Sequence, residues 1–166
     1  MSLNDWEKNG WLKRHSTSRE EIQNLLKIIE RDLQDCQVRH VSADWRFAIA
    51  YNAALQCCRI ALYCAGFQPQ RGQSEHYRVI QSLSLTLGVD FEEMSRYLNS
   101  CRSKRNISDY DSMGTISDSE VDELIKNVQE LQTDLLRWLK KITENISKHR
   151  IAGFFLARKT IINYQL

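Results

Sequence analysis

A chain of 166 residues, 42% hydrophobic and 27% charged, is sized for one domain and long enough to bury a core without metal or disulfide support. A net charge of only +2 excludes a broadly basic nucleic-acid coat, so any contact with phosphate has to be local. The five cysteines, Cys36, Cys57, Cys58, Cys64 and Cys101, are odd in number and form no C-x-x-C pair, which argues against a disulfide framework or zinc site and for small buried residues in a reducing compartment.

Residues 1–17 are polar apart from Trp6, Trp11 and Leu12 and read as an N-terminal extension that docks through its tryptophans. No basic segment followed by an apolar stretch opens the chain and no run reads as membrane-spanning, so the expectation is a cytoplasmic protein with no membrane contact. The first helix is expected from Ser18, where Glu21 stands three residues after a capping serine, to about residue 38, with Ile22, Leu25, Leu26, Ile29, Leu33 and Cys36 at helical spacing. A second helix spans roughly 43–65, rich in alanine and therefore open to close approach by neighbours, and Gly66 ends it. Its Phe47, Tyr51, Leu55, Cys58 and Leu62 share one face and read as core.

Residues 67–74, F-Q-P-Q-R-G-Q-S, read as a loop marked by the only proline. A shorter helix follows over about 75–87, carrying Tyr77, Ile80, Leu83 and Leu87 and stopped by Gly88. His76 opens it, and a lone histidine there reads either as a capping or surface residue or as a supporting member of a site. The fourth helix covers about 90–110, and a connector, D-S-M-G-T-I-S, leads to a second capping box at Ser117 and Glu120. That box opens a long helix with Val121, Leu124, Ile125, Val128, Leu131, Leu135, Leu139, Ile142 and Ile146 on its apolar stripe. In the tail, Phe154, Phe155, Ile161 and Ile162 read as core or a dimer contact, with membrane-surface or partner binding as the other reading.

Helices with short connections and no alternating strand imply an all-α, up-and-down helical bundle of four to five main helices. The expected division is an N-terminal extension at 1–17, the bundle at 18–147, and a basic and apolar C-terminal extension at 148–166. Phosphate-cradle, dinucleotide, zincin and α/β-hydrolase motifs are absent, as is any Glu-x-x-His pair for a di-iron site, so no metal and no cofactor is expected.

Candidate chemistry lies in the fourth helix. Met94, Leu98 and Cys101 form an apolar stripe whose next position is Arg105. At about 100° per residue, Arg102, Arg105, Asn106, Asp109 and Tyr110 share one arc, which pushes charge toward an interior or an interface. Two readings stand: an internal salt bridge from Arg102 or Arg105 to Asp109, with Asn106 and Tyr110 ending the helix, or a site. A polar cluster that continues an apolar stripe is economically satisfied by its twofold copy, so a homodimer is expected.

The run R-S-K-R-N-I-S-D-Y-D at 102–111 resembles the signature of the HEPN superfamily, small α-helical bundles of prokaryotic toxin–antitoxin and defence systems. Arg105 and Asn106 match the opening of its Arg-polar-…-His motif, and Tyr110 stands where the histidine would be. Ser108, Asp109 and Tyr110 resemble the branch in which an Ala/Ser-Asp-Tyr ending replaces that histidine. The likeness covers roughly residues 18–147 in helix order.

The resemblance implies a metal-independent endoribonuclease in which two protomers bring their motif helices together and a 2′-hydroxyl attacks the adjacent phosphodiester. In that scheme Arg102 and Arg105 bind phosphate, Asn106 orients the reacting groups, Asp109 supports them, and residue 110 transfers the proton. Tyrosine has a reference pKa of about 10, far from neutrality, so Tyr110 is a poor base unless Arg102 or Arg105 nearby shifts it, and His76 is the alternative, which nothing in the sequence places beside the motif. Two functions therefore stand: a HEPN-like protein that acts on or binds RNA, as a ribonuclease or a degenerate one, and a noncatalytic helical module that partners a minimal nucleotidyltransferase.

Overall fold

The computed structural model describes residues 1–72, 74–110 and 114–151, with the side chains of 107–110 and 145–151 outside that description. In chain order the elements are α1 (Leu3–Lys8), β1 (Leu12–Arg14), α2 (Arg19–Asp35), α3 (Ala43–Cys64), β2 (Phe67–Pro69), α4 (Glu75–Gln81), α5 (Leu83–Thr86), a 3₁₀ turn (Val89–Phe91), α6 (Glu92–Tyr110) and α7 (Asp118–Ile151). The architecture is an all-α helical bundle with one two-stranded ladder.

α3 is the axis of the bundle. α2, α4, α6 and α7 all pack against it, and residues on every side of it are buried, from Phe47 and Tyr51 through Leu55, Cys58 and Leu62. Its alanines, Ala50, Ala53, Ala54 and Ala61, are fully or almost fully buried, and their small side chains let several helices approach one backbone. Contrary to the expectation that no run reaches membrane-spanning length, α3 at 22 residues is long and apolar enough to cross a membrane. Its neighbours bury 72% of its most apolar stretch, as suits the central helix of a bundle. All five cysteines are free and buried.

The N-terminal segment docks on this core through Trp6 and Leu12, which are 7% and 1% exposed. Ser2 and Asp5 form a capping box that starts α1, and Gly10, at φ +71°, turns the chain into β1. β1 pairs antiparallel with β2, Leu12 opposite Pro69 and Arg14 opposite Phe67. Residues 67–69, expected as loop, are thus strand. Three-residue strands are too short for period-two alternation to register, and their pairing joins segments far apart in the chain.

α2 begins as expected at Ser18, whose Oγ accepts the Glu21 N–H at 3.1 Å, but the box is only half made. The Glu21 carboxylate instead accepts from Thr17 at 2.6 Å and meets His15 Nε2 at 2.7 Å, stitching the helix start to the strand that precedes it. The buried Asp32 accepts from Arg31 at 2.6 Å and from the Asn52 amide at 2.6 Å, which satisfies its carboxylate across α2 and α3.

The expected continuous helix over 75–87 is split at Ser82. The fully buried Ser82 hydroxyl donates to the Val79 carbonyl at 2.7 Å, and Ser95 of α6 donates to the Ile80 carbonyl at 2.6 Å. Hydroxyls that take backbone carbonyls compete with the helical ladder, and two acting on one turn bend the chain into α4 and α5. Gly88, at φ +119°, ends the segment.

α7 carries the full capping box expected at Ser117: Ser117 N–H donates to Glu120 at 2.9 Å and Glu120 N–H donates to Ser117 Oγ at 3.3 Å. The chain before it is tethered by Asp44 of α3, which accepts from the backbone of Gly114 at 2.7 Å and Ile116 at 3.3 Å. Beside it the buried Arg46 donates to Asp118 of α7, and through Nε to the Cys36 carbonyl at 2.8 Å, locking the ends of α2, α3 and α7 together. The side chains of the expected C-terminal extension at 148–166, with its stripe at Phe154, Phe155, Ile161 and Ile162, lie outside the described part.

Candidate phosphate-binding site

α6 lies against both α3 and α4, and the faces that meet there carry the candidate chemistry. The apolar stripe behaves as expected up to its polar turn, with Leu98 and Cys101 buried at 0% and 2% and Arg102 and Arg105 half-buried beyond them. Arg105 places its guanidinium carbon 5.6 Å from the ring centre of Tyr51 on α3. Arg102 places its own 5.7 Å from the ring centre of Tyr77 on α4, and its Nε donates to Asn99 Oδ1 at 3.3 Å. Both distances lie within cation–π reach, so each guanidinium stands beside an aromatic ring.

His76 joins this group from the first turn of α4. Its Nδ1 is 3.3 Å from the Tyr51 hydroxyl, and the two rings stand 6.0 Å apart. Tyr51 is 1% exposed, and burial pushes its phenol pKa well above the usual value despite the nearby Arg105 and Arg102, so the hydroxyl keeps its proton. Burial first, then the positive charges of Arg59, Arg105 and Arg102, hold the His76 imidazole below its ordinary value, while Glu75 opposes them. The imidazole is therefore neutral at pH 7, with one ring nitrogen protonated and the other basic. If Nδ1 donates to the phenol oxygen, Nε2 is left as a base; if the phenol donates, Nε2 carries the proton as an acid. Arg59, tied to Glu75 at 2.8 Å, completes the polar surroundings of the imidazole.

Of the residues the sequence singles out, Arg102, Arg105 and His76 converge. Asn106 is exposed and makes no hydrogen bond to this group among the described residues. Asp109 and Tyr110 close α6, and their side chains lie outside the described part, as does any pair between Asp109 and an arginine. Tyr51 is the member the sequence does not announce, because its position on the core face of α3 reads as packing. The signal available was its hydroxyl, since a buried phenol needs a polar partner that a purely apolar face does not supply.

Among the described residues no group of His, Cys, Asp and Glu is placed to hold a metal ion. A shallow pocket of about 310 Å³ elsewhere, lined by Gln37, Arg39, Arg46, Asp122, Ile125, Lys126 and Gln129, shares no residue with the cluster, and its Arg46 is already engaged by Asp118 and Asp122. Fold and site thus define an all-α bundle with a cationic and aromatic cluster built on α3, α4 and α6. No protein-family model, curated protein or solved structure matches the chain.

Proposed function

We propose that this is a HEPN-like protein that contacts RNA, with Arg102 and Arg105 receiving phosphate and His76, oriented by Tyr51, standing in for the motif histidine that Tyr110 replaces. The observation that carries this reading is the convergence of both guanidiniums with a neutral imidazole at the junction of α3, α4 and α6. A guanidinium offers phosphate two parallel charged hydrogen bonds, and permanent charge at the scissile group offsets the negative charge that builds up as a 2′-hydroxyl attacks. A neutral imidazole beside it has the proton affinity to take the hydroxyl proton near neutral pH. Asn106, exposed on the same helix, orients substrate from outside rather than from within the cluster. A second copy apposed along α6 doubles the positive field.

The test is direct. Purified protein is incubated with oligoribonucleotides in chelator, and binding and cleavage are measured separately for wild type, Arg105→Ala and His76→Ala. Arg105→Ala is expected to lower affinity about ten- to a hundredfold, the equivalent of roughly 1.5–3 kcal/mol of charge-assisted hydrogen bonds. His76→Ala is expected to leave affinity near wild type while removing any cleavage. RNA affinity that survives Arg105→Ala and Arg102→Ala together refutes the assignment.

A further inference from the structure

Tyr77 is not needed by the proton chemistry above, yet it is 40% exposed next to His76. Its ring is flanked by guanidiniums, with the Arg102 carbon 5.7 Å and the Arg78 carbon 5.7 Å from its centre. Arg78 is itself held in place, since its guanidinium carbon lies 3.6 Å from the ring centre of Trp11 and 5.8 Å from that of Trp6. The tryptophans come from the N-terminal segment, packed edge to face with centres 5.8 Å apart. That segment therefore holds a cation over an aromatic ring that is 40% exposed. Open rings interleaved with fixed cations are how proteins hold single strands: each base offers a face for stacking while guanidiniums follow the backbone.

We propose that Tyr77 is a base-stacking subsite, which receives an unpaired nucleobase of the RNA strand whose phosphate lies on Arg102 and Arg105. The subsite rests on the phosphate reading of the preceding section and adds the substrate class: a single-stranded segment, because a paired base has no free face to offer. Arg78 serves the neighbouring phosphate or stacks on the same base, and Trp11 and Trp6 act by positioning it. The sequence context of the base is read weakly, since every base has a stacking face.

The experiment compares a short oligoribonucleotide with an abasic ribose-phosphate oligomer of equal length, using the full chain. Wild type is expected to bind the base-bearing oligomer more tightly than the abasic one. Tyr77→Ala is expected to lower affinity for the base-bearing oligomer about 5- to 10-fold, the low end for loss of one stacked base, and so to close the gap between the probes. Tyr77→Trp, which offers a larger face, is expected to keep the gap open. Arg102→Ala is expected to weaken both probes alike. If Tyr77→Ala leaves the gap unchanged or weakens both probes equally, the stacking subsite falls while the phosphate site stands. If wild type binds neither probe, both fall.

Discussion

Replacing Arg46 tests the energetics of the junction that fixes α3 against α7. Its side chain is 1% exposed, whereas its partners Asp118 and Asp122 are 72% and 49% exposed, so the burden of burial falls on the cation. It makes bonds of 2.8 Å to the Cys36 carbonyl, 2.7 Å to Asp118 and 3.4 Å to Asp122. In Arg46→Ala the buried Cys36 carbonyl loses its donor, at about 1–3 kcal/mol. The buried methylene stem is lost as well, worth about 2 kcal/mol at ~0.8 per methylene. The carboxylates return to water at little expense, and relief of guanidinium desolvation offsets part of the total, which leaves about 2–4 kcal/mol. Arg46→Met keeps most of the stem and is expected to cost about 1–3 kcal/mol, the hydrogen-bonding share. Asp118→Asn with Asp122→Asn is expected to cost about 1–3 kcal/mol, because the buried guanidinium keeps its hydrogen-bond acceptors but loses both compensating charges. Urea unfolding of the variants measures all of these. Arg46→Ala within about 0.5 kcal/mol of wild type, the range of an ordinary surface change, would refute the argument, as would a double asparagine variant indistinguishable from wild type.

RNA affinity measured against salt is expected to follow a slope whose magnitude falls by about 0.7 in Arg102→Ala and again in Arg105→Ala, as one phosphate contact is lost each time; an unchanged slope places neither arginine on phosphate. The His76 pKa in the fold lies below its reference of 6.5, so the unfolded chain binds the proton first. Its contribution to stability is therefore present above about pH 6.5 and lost as pH falls through the lowered value, and His76→Gln is expected to flatten this part of the pH–stability curve. Ser117→Ala removes half of the capping box and is expected to cost about 0.5–2 kcal/mol in chemical denaturation. Lys104 and the Ser117 bonds hold the Glu120 carboxyl down at about 2, so the cap contributes above about pH 4.5 and weakens as pH falls toward 2, a trend that Ser117→Ala is expected to reduce. Sedimentation at micromolar concentration is expected to show a homodimer, and a strict monomer would remove the expectation that a twofold copy satisfies the α6 cluster.

Helix positions and several ends were legible from the sequence because their causes are local. Side chains three and four residues apart lie on one face of a helix, so the stripes of α2 and α7 appear in a window of a dozen residues, and the Ser117 box needs only three. The turn of the α6 stripe from Cys101 to Arg105 was legible for the same reason, with a salt bridge and a site both open as its meaning. Tertiary structure alone decided what those faces meet. Arg46 finds its acids 72 and 76 residues away, β1 finds its partner across the length of α2 and α3, and a hydroxyl from α6 occupies a carbonyl where α4 breaks. Tyr51 and His76, 25 residues apart, each read as ordinary on their own helices: a core aromatic and a lone histidine at a helix start. Only the packing of α4 and α6 onto α3 sets that phenol against that imidazole beside Arg102 and Arg105, because a periodic pattern tells which face is buried and nothing of which distant face buries it.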